Sequence, residues 1–276
     1  MEWFEALILG IIQGATEYLP VSSSGHLTIF QDLLGLEIPA EQKLEFDVIV
    51  HFATVLSTIT ILLPMFRKLV KGFFAFRNTP DFRYVCKILV SCIPVGIVGV
   101  FFKDYVEEIF GSGLLVVGIC LIVTAALLTF AHLSSYNFAT RRLRNPDAGH
   151  NIGWWDAFII GIAQSVAVLP GLSRSGSTIA TGIILGDKRS EVAQFSFIMV
   201  VLPIIGEALL DLAGMMKGGE AVAGNGVGWV SMLIGFFSAY IVGCAACKWM
   251  IALVKKGGLV WFAVYCVIVG ILCIVL

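Results

Sequence analysis

Six stretches of the chain are apolar over about the length of a membrane-spanning helix: 44–65, 85–102, 113–131, 192–212, 227–247 and 259–276. A bilayer core of ~30 Å needs roughly 20 such residues, so each stretch is predicted to cross once. Two further apolar stretches, 1–36 and 153–186, are interrupted midway by polar patches. The first patch is Pro20-Val21-Ser22-Ser23-Ser24-Gly25-His26, the second Pro170-Gly171-Leu172-Ser173-Arg174-Ser175-Gly176-Ser177. No helix runs through such a patch unstrained. Irregular backbone at membrane depth survives only where protein covers it or where it lines a water-filled cavity. Both stretches are therefore predicted to be re-entrant helix–loop–helix hairpins.

The two hairpins resemble each other. Gly10-Ile11-Ile12-Gln13 recurs as Gly161-Ile162-Ala163-Gln164, Leu19-Pro20 as Leu169-Pro170, and Ser22-Ser23-Ser24-Gly25 as Ser173-Arg174-Ser175-Gly176, at an offset of about 150 residues. The expected architecture is an all-α polytopic membrane protein with a single membrane domain over 1–276. Repeat 1 covers about 1–131, a cytoplasmic linker 132–152, and repeat 2 about 153–276. Each repeat is one re-entrant hairpin plus three transmembrane helices.

Charge placement sets the orientation. Positive residues favour the cytoplasmic side. Arg67, Lys68, Lys71, Arg77, Arg83 and Lys87 cluster in and after the 66–84 loop, and Arg141, Arg142 and Arg144 in the linker. Lys188 and Arg189 follow the second hairpin, and Lys248, Lys255 and Lys256 precede the last stretch. The other face receives only Lys43, Lys103 and Lys217. This split requires the first hairpin to enter from outside and the second from inside, so the repeats have inverted topology and both termini lie outside. Inverted repeats whose broken helices meet at mid-membrane are one way of building a site. Trp3, Trp154, Trp155, Trp229, Trp249 and Trp261 fall at or near segment ends, as an interfacial belt requires.

Composition agrees. Hydrophobic residues make up 58% of the 276 and charged residues 13%, against roughly 25% charged in soluble chains, so most of the exterior must face lipid. A net charge of −1 without a basic stripe excludes nucleic acid as a partner. The acidic opening, Met1-Glu2-Trp3-Phe4-Glu5, is unlike a cleaved signal, so the first segment is expected to be retained. The seven cysteines all sit in apolar stretches. Cys244 and Cys247 form a CxxC without polar neighbours or a second pair, which reads as helix packing.

The candidate chemistry lies in the two patches. Gln13 and Glu17 are four apart and share a helix face, and a carboxylate in apolar sequence calls for a partner or a task. Ser22, Ser23 and Ser24 with Gly25 offer hydroxyls and amides suited to phosphate oxygens where a helix begins. His26 offers a nucleophile, a general acid/base or a hydrogen-bond donor. The second patch adds Ser173, Arg174, Ser175, Gly176 and Thr178. Arg174 is costly at membrane depth, and its planar fork suits phosphate or an ion pair with Glu17. Asp47 with His51, and Glu207 with Asp211, read as interfacial capping or ion binding rather than catalysis, and His132 and His150 as solvated loop residues.

Together, Gln13-Gly14-Ala15-Thr16-Glu17, Pro20 to His26 and Pro170 to Thr178 resemble the undecaprenyl-diphosphatases, also called bacitracin-resistance proteins. That family carries an E/Q-xxx-E segment, a PVSSxGH loop and a PGxSRSGxT loop, in this order. The resemblance extends over essentially the whole chain. It implies hydrolysis of undecaprenyl diphosphate to undecaprenyl phosphate and inorganic phosphate, recycling the lipid carrier for cell-wall polymers. It also implies a location in the bacterial cytoplasmic membrane, a site opening to its outer side, and a divalent cation, Mg²⁺ or Ca²⁺. Glu17, Ser23, His26 and Arg174 match the family's key positions; Ser22, Ser24, Gly25, Ser173, Ser175, Gly176 and Thr178 surround them on the phosphate. Glu17 and Gln13 are the candidate metal ligands, although many members carry Glu where Gln13 stands. The sequence leaves the nucleophile open among Ser23, His26 and water. It leaves the oligomeric state open too, a homodimer included. A lipid flippase or small-anion carrier is the alternative function, since re-entrant inverted repeats also suit transport.

Overall fold

The computed structural model describes residues 1–36, 39–102, 105, 109, 113–137, 149–206 and 227–275. Its described elements are helices: α1 (Trp3–Thr16), α2 (Ser23–Leu33), α3 (Ala40–Ile61), α4 (Leu63–Phe74), α5 (Pro80–Phe101), α6 (Leu114–Asn137), α7 (Trp154–Val166), α8 (Arg174–Leu185), α9 (Arg189–Met199), α10 (Trp229–Lys256) and α11 (Val260–Val275). Among the described residues, five segments are long and apolar enough to cross a bilayer: Gln42–Ile61, Pro80–Phe101, Leu114–Ser134, Arg189–Gly206 and Trp229–Lys256. The chain is a multi-pass membrane protein. The stretch expected at 259–276 forms α11, whose 16 residues rise only ~24 Å, short of a ~30 Å core.

Both interrupted stretches fold as helix–loop–helix hairpins, α1 with α2 and α7 with α8. Their first helices are seated by glycine. A Cβ on Gly10 would collide with Ser238 and the Gly235 carbonyl on α10, and one on Gly161 with the Ser91 backbone on α5. Backbones can approach this closely only where the side chain is hydrogen. The exterior is apolar as lipid contact demands: Trp155, Trp229 and Trp261 are 76%, 74% and 75% exposed. Buried polar side chains such as Ser57, Ser91, Thr124 and Gln164 lie inside the bundle.

Several boundaries differ from the hydropathy reading. The positive 66–84 loop is partly helical. After a break at Leu62, α4 starts with Pro64 in its first turn, buries Leu69, exposes Lys68 and Lys71, and is tied to α5 by a Lys68–Asp81 ion pair of 3.2 Å. His132 lies within α6, not in a loop. Helix α10 runs past its apolar stretch through Lys255 and Lys256, whose charges suit a helix C-terminus, to Gly257 at φ 88°. Hydropathy marks the lipid-immersed part of a helix and is blind to polar turns beyond it. The readings on Arg141, Arg142, Arg144, Lys103, Lys217, Glu207 and Asp211 lie outside the described residues.

Candidate active site

Helix α1 ends at Glu17, which keeps helical backbone angles and bonds its N–H to the Gln13 carbonyl. Its carboxylate is the centre of the polar cluster. Oε2 accepts from Gln13 Nε2 at 2.9 Å and from Ser23 Oγ at 2.7 Å. Oε1 lies 3.7 Å from an Arg174 guanidinium nitrogen, and His51 Nε2 is 3.8 Å from Oε2. The Glu17 side chain is 7% exposed, so these partners, more than water, hold its charge. Beside it, Tyr18 is locked by its hydroxyl to the Thr54 carbonyl at 2.6 Å and to Ser57 and Thr58, which fixes the end of α1 against α3.

Each loop passes into its second helix through a serine cap. Ser22 Oγ accepts from the Gly25 N–H at 3.3 Å, and Ser173 Oγ from the Gly176 N–H at 3.0 Å. Ser22 adopts φ 69°, ψ 104°, a conformation costing on the order of 1–3 kcal/mol for a residue with a side chain. Gly171 turns at φ 86°, where a Cβ would strike the Val117 backbone. The Ser173 N–H donates to Thr124 Oγ1 at 3.1 Å, so α6 holds the second loop in place.

The two tips meet. Ser175 Oγ donates to the Leu19 carbonyl at 3.1 Å. A Cβ on Gly25 would lie 3.1 Å from Gly171 Cα, and one on Gly176 3.1 Å from Pro20 Cβ. Two helix N-termini, α2 and α8, thus converge with their partial positive charge on one region. Next to it opens a narrow pocket. Glu17, Arg174, Ser175 and Thr178 line it together with apolar Val55, Val200, Val201 and Ile204. It is polar where the tips meet and at Thr54 and Thr58 of α3, and mostly apolar along the Arg189–Gly206 segment, through Phe197, Val200, Val201 and Ile204.

Of the predicted residues, Gln13, Glu17, Ser23 and Arg174 come together directly. Ser22 and Ser173 serve as caps, Ser24 Oγ sits 3.4 Å from Ser22 Oγ, and Thr178 bonds back to the Arg174 carbonyl at 2.9 Å. His26 is arranged differently. Nδ1 pairs with the Ser22 carbonyl at 2.8 Å, Nε2 with the Tyr265 hydroxyl at 2.7 Å, and the Tyr265 ring stacks on it. Neither His26 nor Ser23 lines the pocket itself; Ser23 reaches it through Glu17.

Three contributors were missed in the sequence: His51, Tyr265 and Thr124. His51 Nδ1 pairs with the Asp47 carbonyl at 2.7 Å, which aims Nε2 at Glu17, while the Asp47 carboxylate accepts from Gln31 at 3.1 Å. The i, i+4 spacing of Asp47 and His51 was the available signal. It gives a shared face but not the element that face meets. Tyr265 and Thr124 carried no signal, being single polar residues in apolar helices.

Known proteins resemble the chain over nearly its whole length. The family described as Bacitracin resistance protein BacA matches residues 6–272. An undecaprenyl-diphosphatase of Bacteroides fragilis is 57% identical over 275 residues, covering 100% of this chain and 98% of that protein. Those of Bacteroides thetaiotaomicron and Parabacteroides distasonis are each 55% identical, over 100% and 99% of this chain and 99% and 98% of their own. With the match spanning both hairpins and nearly every helix between and beyond them, the chain belongs to the BacA, or undecaprenyl-diphosphatase, family.

Proposed function

We propose that this protein hydrolyses the phosphoric anhydride of undecaprenyl diphosphate, releasing inorganic phosphate and undecaprenyl phosphate, and thereby confers bacitracin resistance. The observation that carries the reading is the Ser23–Glu17 hydrogen bond of 2.7 Å beside Arg174. A hydroxyl, a base and a phosphate clamp stand within reach of one another, which binding alone does not require. The diphosphate sits between the hairpin tips, held by Arg174 and the loop amides. The prenyl chain leaves along Val55, Val201 and Ile204, so it never has to enter water, at ~0.8 kcal/mol per CH₂.

Ser23 Oγ is the favoured nucleophile. It attacks the terminal phosphorus while Glu17 takes its proton, and the P–O bond to undecaprenyl phosphate breaks. Glu17 gives that proton up to the departing undecaprenyl phosphate; water then attacks the phosphoserine, and Glu17 takes its proton and returns it to Ser23 Oγ as phosphate leaves. His26 is less suited to attack, since both its nitrogens already have partners; it orients the first loop. His51, 3.8 Å from Glu17, tunes the base and can pass its proton on.

A divalent cation fits this cluster modestly. Gln13 Oε1 is buried without a hydrogen-bond partner, and beside the Glu17 carboxylate it completes a pair of hard oxygen donors, as Mg²⁺ or Ca²⁺ prefers when substrate phosphates supply further ligands. When bound there, the ion would neutralise charge on the diphosphate.

The inverted-repeat reading is supported by the packing, which exchanges partners between halves. Helix α1 lies on α10 and α7 on α5, while α6 and α11 pack on each other. With the positive charges inside, the site opens to the outer face of the bacterial cytoplasmic membrane. The test is phosphate release from undecaprenyl diphosphate by detergent-purified protein, wild type against Arg174→Ala, with and without EDTA. Metal-dependent release lost in the variant supports the reading. No release from folded wild-type protein would overturn it in favour of lipid or anion transport.

A further inference from the structure

At the base of the second hairpin, far from its tip, three ligand-bearing side chains converge: His150, Asp156 and Asp187, with their ligand atoms all within 4.8 Å of one another. Asp187 follows α8, whose 12 residues span about 18 Å from its Arg174 end at ~1.5 Å per residue. Its side chain is 0% exposed. Neither carboxylate oxygen receives a hydrogen bond, although His150 Nδ1 stands 3.0 Å from Oδ1. A buried carboxylate without a donor costs several kcal/mol unless a cation completes it. The lysines beside it are directed elsewhere: Lys87 to the Ile152 carbonyl at 2.5 Å and Lys188 to the Asn151 side chain at 2.8 Å.

The geometry points to a second site, for a divalent transition-metal ion such as Zn²⁺, held by His150 Nδ1, Asp156 and Asp187, with the Asn151 carbonyl as a fourth donor. A tetrahedral ion with ~2.1 Å bonds separates its ligands by about 3.4 Å. From Nδ1, the Asp187, Asn151 and Asp156 oxygens lie at 3.0, 3.2 and 3.7 Å. The surrounding contacts prearrange this set. His150 Nε2 lies 3.2 Å from the Leu185 carbonyl, and a proton donated there leaves the Nδ1 lone pair facing the carboxylates, the usual support for a metal-bound imidazole. The His150 backbone is clamped to the strand-like turn at Asp187 by His150 N–H to Gly186 O, 3.2 Å, and Lys188 N–H to His150 O, 3.0 Å. Asp156 is held by the Gly153 N–H at 2.7 Å. His150 is itself 57% exposed, which leaves an entry path. The ion would join the start of α7 to the end of α8 and so fix the base of the hairpin that carries Arg174.

This inference is independent of the hydrolase reading. The test is zinc retention by full-length protein in detergent, stripped with EDTA, reloaded with ZnCl₂ and passed through gel filtration. Wild type is compared with His150→Ala and Asp156→Asn, and with Asp81→Asn, a carboxylate in neither candidate metal site that pairs with Lys68, as a control. The seven free cysteines also attract zinc, so the readout is the difference between proteins. The expected result is about one zinc fewer per chain in both base variants and no change in Asp81→Asn. Zinc should also raise the Tm of wild type but not of His150→Ala. Equal retention in wild type and both base variants would overturn the site and leave a protonated His150 as the partner of Asp187.

Discussion

Replacing Glu17 by Gln tests the centre of the cluster with the least change in shape. The amide can keep an oxygen where Oε2 now accepts from Ser23 at 2.7 Å and Gln13 at 2.9 Å. Its NH₂ must then face Arg174, 3.7 Å from the present Oε1. The reverse orientation would set donor against donor at Gln13 and is worse. Hydrogen bonding is thus preserved, while the negative charge is lost and with it the proposed base. Loss of general-base catalysis costs on the order of 10²–10⁴ in rate, about 2.7–5.4 kcal/mol of barrier. The stability loss should fall below the ~3–5 kcal/mol of a fully buried broken pair, because Arg174 keeps 20% of its side chain exposed. The assay is single-turnover phosphate release from undecaprenyl diphosphate in detergent, with the melting temperature measured in parallel. A rate within tenfold of wild type in a folded variant would refute Glu17 as the base and, with it, the Ser23–Glu17 mechanism.

Other outcomes follow from the same geometry. Ser23→Ala should abolish turnover at a stability cost of roughly 1.5–3 kcal/mol for a hydrogen bond to a charged group; acid-quenched wild type should carry phosphoserine, and an active alanine variant would assign the attack to water. Arg174→Lys should lower kcat/KM by at least about tenfold, because a point charge cannot replace a bidentate fork; unchanged kinetics would remove the clamp. His51→Gln should shift the pH–rate profile with only a modest change in KM, and an identical profile would exclude coupling to Glu17. Gly161→Ala drives a Cβ to within 2.8 Å of Ser91 Cα and should destabilise by about 1–3 kcal/mol, read as a lower Tm.

How much of the site was legible depends on what each residue needs to be recognised. Glu17 and Arg174 stand out because a charge in apolar sequence is expensive wherever the chain goes. The caps Ser22 and Ser173 are local too, each bonding an amide three residues on. His51 reads as interfacial because it and Asp47 form an i, i+4 pair towards the outer end of their apolar stretch. Its partner Glu17 lies 34 positions away and reaches it only through the packing of α1 on α3. His26 is the reverse case: the motif marks it, yet its Nε2 is engaged by Tyr265 from the far end of the chain. His150 looked solvated because its local sequence is polar, and only the return of the chain at Asp187 brings it against a buried carboxylate.

The sequence by itself determined that this is a membrane protein, that two of its apolar stretches must break, and which family it resembles. Those properties rest on residue type and short-range spacing, which the lipid environment reads directly. Tertiary structure alone decided that the two tips touch, that Ser23 rather than His26 faces Glu17, and that His51, Thr124 and Tyr265 complete the surroundings. These depend on contacts between helices separated by tens to hundreds of residues. Such contacts are set by where glycines such as Gly10, Gly161 and Gly171 let backbones close together, and hydropathy along the chain carries no record of them.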